Sequence, residues 1–147
     1  MQLPNVEQLD SEDKNWFARA IAGMVVADGR VDESETAFLK EALGFLEDHS
    51  QVEQIMGIVK QGKPPEMPAA KIDTKQAFVM LKYLSELMVA DANLSPGEVR
   101  FFLYSGRLLG FTPDILTKLW KTARAQLEAT LPKAVAQIGN QTVAITL

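Results

Sequence analysis

MVVADGRVDESETAFL (24–39) and LMVADANLSPGEVRFF (87–102) are two versions of one stretch, set 63 residues apart. Val26-Ala27-Asp28 lines up with Val89-Ala90-Asp91, Val31 with Leu94, Glu35 with Glu98, and Phe38 with Phe101. Upstream, Ile21 falls on Leu84 and Met24 on Leu87; downstream, after an insertion of three residues, Leu43-Gly44-Phe45 matches Leu109-Gly110-Phe111. In each copy an apolar stripe of helical period runs into Ala-Asp, a short polar turn follows, and a second stripe begins near Glu35 or Glu98. Self-similarity at a fixed offset marks a duplicated supersecondary unit. That unit is a helix–loop–helix hairpin, over about residues 13–46 and again over about 74–111. Two such hairpins packed together predict a pseudo-two-fold arrangement.

The segments around the repeat are helical in pattern too. Trp16, Phe17, Ala20, Ile21, Met24 and Val25 form one stripe, which Asp10 or Ser11 can cap, with Glu12 and Asp13 favourably placed in its first turn. Phe38, Leu39, Ala42, Leu43 and Leu46 form a second stripe. Val52, Ile55, Met56 and Val59 form a third, with Ser50 as its expected cap. GKPPEMPAAK (62–71) then excludes helix, because proline lacks the amide donor and restricts the residue before it. A fourth helix, from about Asp73 to Asp91, is apolar on more than one side through Phe78, Leu81, Tyr83, Leu84, Leu87 and Met88, and is expected at the centre. A fifth begins at Ser95-Pro96 and a sixth at Thr112-Pro113-Asp114, which is a cap, a first-turn proline and a favourable acid. Pro132 offers a start for a seventh, and the tail GNQTVAITL (139–147), with its β-branched residues and no helical period, is expected to be extended, packed or frayed. The fold class that follows is all-α: a compact bundle of six or seven helices.

Composition narrows the chemistry. A chain of 147 residues and 16.2 kDa should expose about 7,500 Å² folded against about 23,000 Å² unfolded, enough burial for one core over residues 1–147. With no cysteine, disulfides, thiolate metal sites and thiol redox chemistry are excluded. With His49 as the single histidine, the usual zinc sites and most histidine catalysis are disfavoured. No P-loop, nucleophile elbow or dinucleotide fingerprint is present, so an enzyme is not expected. A net charge of −4 argues against nucleic acid as a partner. The charge is uneven: residues 1–50 hold eleven acids and four bases, whereas 51–147 hold eight and eleven. The polar start MQLPNVEQLDSEDK predicts neither a signal nor a transit peptide, and no apolar run reaches the length of a membrane span. A cytoplasmic location without membrane insertion is the expectation.

The duplicated pattern, A-D-G-x-[VIL]-x-x-x-E and then A-D-x-x-[VL]-x-x-x-E, resembles the TerB-like domain. That superfamily includes bacterial tellurite-resistance TerB proteins and the amino-terminal domain of the membrane-anchored co-chaperone DjlA. The resemblance covers roughly residues 13–128. It implies a compact helical fold, a pseudo-two-fold axis, a cluster of acids suspected of holding a divalent cation, and a stress-response or adaptor role without established catalysis. Ala92 stands where the first copy has Gly29, and neither a J domain nor a membrane anchor is present, so co-chaperone activity does not carry over.

Four acids are the candidate metal ligands: Asp28, Glu35, Asp91 and Glu98. Both glutamates also fit a capping box, Asp32-Glu33-Ser34-Glu35 and Ser95-Pro96-Gly97-Glu98, in which the acid bonds back to the N-cap amide. Each aspartate sits in the last turn of an apolar helix, where the dipole disfavours an anion by ~0.3–1 kcal/mol. An Asx-type turn or a shared cation compensates that. Carboxylate oxygens suit Ca²⁺, Mg²⁺ or Mn²⁺, with Asp32 as a helper, although the loop is too short for an EF-hand. Two functions stay open: a divalent-cation module, and a protein-interaction adaptor whose acids only shape turns. Elsewhere, His49 at a helix end is explained by the dipole, Trp16 and Trp120 by the core, and the six methionines by gap filling. Lys118, Lys121 and Arg124 recur at helical spacing as a solvated face or an anion-binding one.

Overall fold

A computed structural model describes residues 6–27, 31–90 and 95–136, with side chains to Ala129. Among these residues there are six α-helices and one 3-10 turn, with no strand: α1 (Ser11–Val25), α2 (Glu33–Ala42), the 3-10 turn (Leu43–Phe45), α3 (His49–Lys60), α4 (Thr74–Ala90), α5 (Pro96–Leu108) and α6 (Pro113–Ala136). The sequence repeat falls on α1–α2 and on α4–α5. The expectation for the tail 139–147 lies outside the described residues.

The starts of the helices are set by short polar side chains that satisfy amides the helix leaves unpaired. Asp10 accepts from the Asp13 amide at 2.9 Å, Asp32 from Glu35 at 2.8 Å, and Ser95 from Glu98 at 3.2 Å. At α3 the cap is Asp48 rather than Ser50: Asp48 Oδ1 accepts from the Ser50 amide at 2.9 Å and from its hydroxyl at 2.6 Å. Asp and Ser cap about equally well, so the earlier of the two took the position. His49 therefore opens α3 at the positive end of its dipole, the reverse of the expected placement, and its partner is Glu53, with Nε2 to Oε1 3.5 Å.

α1 lies at the centre and packs on α2, α3, α4 and α5. Trp16, Phe17, Ala18, Ala20, Ile21, Ala22, Gly23 and Met24 are all buried. Small residues on several sides let neighbours approach closely without adding to an apolar stripe, so α1 shares the centre with α4, the helix that the apolar stripes marked. Each large side chain fully buried here, Phe17 and Ile21 among them, stabilises by about 1.5–3 kcal/mol. Phe17 meets both Phe45 and Tyr83 at ring-centroid distances of 5.8 Å. α4 is the second core helix, packed on α1, α5 and α6 through Met80, Leu81, Leu84 and Met88.

Two expected core residues are not buried. Phe38 is 40% exposed on α2 and Phe78 is 44% exposed on α4. Nor does a seventh helix begin at Pro132, because α6 continues through it to Ala136. One missing donor does not end a helix already about five turns long.

Candidate functional site: the meeting of the two hairpins

Of the four candidate ligands, Asp28 and Asp91 lie outside the described residues. Glu35 and Glu98 occupy the third helical positions of α2 and α5. Glu98 is buried, and its Oε1 accepts from the Ser95 amide at 3.3 Å while its own amide donates to Ser95 Oγ. This is the full capping box expected from the sequence. Glu35 is half-buried; its amide donates to Asp32, which also accepts from the Ser34 hydroxyl at 2.7 Å. The Glu35 amide first, and then the Ser34 hydroxyl, hold the Asp32 carboxyl below the usual range.

The hairpins meet through glycine. A Cβ on Gly97 would run into the carbonyl oxygen of Ala27, so only glycine lets the end of α1 lie on the first turn of α5. A Cβ on Gly23 would likewise overlap the ring of Phe101. The residue preceding Asp28 is thus placed against the residue preceding Glu98. Among the described residues no group of three or more His, Asp or Glu side chains is arranged to hold a metal ion.

Three other surfaces bear on function. On α4, the exposed positions Lys75, Phe78, Val79 and Lys82 form one stripe, and Val79 borders a groove of about 190 Å³ with Val6, Leu9 and Met80. On α6, Lys118, Lys121 and Arg124 are all exposed. Arg124 is held by Glu128 at 3.1 Å, and Lys121 Nζ stands 6.0 Å from the Trp120 ring centroid. That row projects into solvent with part of its charge already paired, the geometry of a solvated face.

The third surface was missed by sequence reasoning. Trp16 is core, as expected, but its indole N–H also donates to the Pro68 carbonyl at 2.8 Å. Arg19 Nη1 donates to the Glu66 carbonyl at 3.1 Å, while its Nε donates to Asn15 Oδ1 at 2.8 Å. The signal was the arginine set between Phe17 and Ile21 in an otherwise apolar stretch, beside an indole donor that burial obliges to find an acceptor. Trp120, by contrast, is half-buried, and its Nε1 has no hydrogen-bond partner among the described residues.

No protein-family model, curated protein or solved structure matches the chain. Among the described residues no helix is long and apolar enough to cross a membrane.

Proposed function

We propose that this chain is a non-enzymatic helical module of TerB-like type that docks a protein partner, with Glu35 and Glu98 serving as helix-start residues. The observation that carries this reading is the outer face of α4. Phe78 and Val79 are 44% and 45% exposed, with Lys75 and Lys82 on the same face. A contiguous apolar patch rimmed by polar residues is the kind of surface that takes a protein partner. The test is affinity capture on the immobilised chain, with and without chelator, beside the double variant Phe78→Ala, Val79→Ser. Loss of specific capture in the variant and indifference to chelator support docking on α4; the opposite pattern overturns it.

A second reading, a divalent cation held between the hairpins by Asp28, Glu35, Asp91 and Glu98, is favoured by the contact of Ala27 with Gly97, which sets the residue before Asp28 against the residue before Glu98. Oxygen ligands make Ca²⁺, Mg²⁺ or Mn²⁺ the expected ions. Calorimetric titration of chelator-treated protein checks it. Binding heat abolished by Asp28→Asn with Asp91→Asn supports the site, and absence of heat for all three ions removes it.

A further inference from the structure

The connection between α3 and α4 is a bound peptide in all but covalent continuity. Gly62, at φ 74°, turns the chain out of α3, and residues 63–73 then run without helix or strand. Along this strap Pro65 and Met67 are buried while Pro64, Glu66 and Pro68 are exposed. That alternation belongs to an extended chain lying on a surface. Two donors one helical turn apart on α1, Trp16 and Arg19, take carbonyls two residues apart on the strap, those of Pro68 and Glu66. Asn15 holds the guanidinium in position. Side-chain donors that take alternate carbonyls of an extended segment whose alternate side chains are buried hold it as they would a separate peptide, through its backbone first and its buried side chains second.

The groove does not end where the strap's hydrogen bonds do. Beyond Pro68 it opens into a cleft of about 840 Å³ between α1 and α3, with Asp10, Glu12 and Asp13 on one side and Lys71 of the strap on another. Burial, then the charges of Asp10 and Glu12, push the Asp13 carboxyl up. A negative rim of this kind favours a cation, and the strap supplies one three residues after Pro68.

We propose that the face of α1 carrying Trp16 and Arg19 is a recognition site for extended segments that bury a proline and an apolar residue two positions on and carry a basic residue after them, that residues 64–71 are its resident occupant, and that a partner's segment of the same chemistry enters by exchange with the strap. The site is separate from the α4 face and stands or falls independently of it.

The probe is a labelled peptide with the strap's own sequence, KPPEMPAAK, followed by fluorescence anisotropy. Loosening the resident strap with Pro65→Gly and Met67→Gly should tighten peptide binding at least tenfold over the intact chain. Trp16→Phe, which keeps an aromatic ring and removes the N–H, should reverse that gain, and a scrambled peptide should not bind. A loosened chain of unchanged helicity that ignores the peptide, or takes the scrambled one equally, overturns the proposal. The intact chain provides a second arm that needs no variant. Saturating peptide should speed tryptic cleavage of the strap after Lys71 at least tenfold, and an unchanged rate also overturns it.

Discussion

The helix pairs α1–α2 and α4–α5 carry one sequence pattern at an offset of 63 and employ it unequally. Several matched core positions behave alike: Ile21 and Leu84 are fully buried, as are Leu39 and Phe102. The outer aromatic does not. Phe101 of the second copy lies over Gly23 of the first. The position matching Gly23 in the second copy is Glu86, and Phe38, the counterpart of Phe101, is left 40% exposed. The exits from the second helices diverge as well. Leu109-Gly110-Phe111 ends α5 in a Schellman stop, with Gly110 at φ 90° and the Phe111 amide bonded to the Gly106 carbonyl at 3.1 Å. Leu43-Gly44-Phe45 instead tightens into the 3-10 turn. The two helix pairs thus bury matched positions of the sequence pattern and differ at their rims.

The strongest break of this comparison is at the aromatics. Phe101→Ala should cost about 2–3 kcal/mol in urea denaturation, whereas Phe38→Ala should stay within about 0.5 kcal/mol. Equal losses would mean that the copies are alike after all. Next is Gly23→Ala, whose methyl displaces the Phe101 ring; an overpacking cost of about 1–3 kcal/mol is expected, and a neutral result would show that the ring yields freely. Ser95→Ala removes the hydroxyl half of the second copy's capping box and should lower stability by about 1 kcal/mol.

The smallest effect separates the two caps by pH. The first copy starts α2 on a carboxylate and the second starts α5 on a hydroxyl. The Asp32 carboxyl is held below its ordinary value in the folded chain. Its contribution is therefore present above the unfolded value, near pH 4, and is lost as pH falls through the folded one. Acid titration of stability should be shallower in Asp32→Asn than in the parent, and unchanged in Ser95→Ala. An identical slope in Asp32→Asn would show that the first cap contributes nothing that titrates.

The helices were legible because period and caps are local signals. The proline-rich stretch 62–71, the Ser95 capping box and the stripe of α3 stand where the residues placed them. Placement within the bundle was less legible, because alanine and glycine mark a crowded helix without raising its apolar stripe. Ala18, Ala22 and Gly23 made α1 central for that reason. Phe38 and Phe78 sit on helical stripes, but periodicity does not say whether another helix arrives to cover them. At the site, the capping role of Glu98 followed from spacing alone. The Trp16 and Arg19 contacts did not, since their acceptors are backbone carbonyls 52 and 47 residues away, and a carbonyl has no letter in the sequence.

The central position of α1 also bears on synthesis. It precedes in the chain every helix that covers it, from α2 to Phe101 of α5, and so is made before them. At ~5–20 residues per second, the gap between finishing α1 and making Phe101 is roughly 4–15 s. For that interval the nascent chain carries α1 with its cover of α2, α3, α4 and α5 incomplete. This is the exposed apolar helix that holding chaperones recognise, so the helix buried most completely in the folded protein is the one most in need of protection during translation.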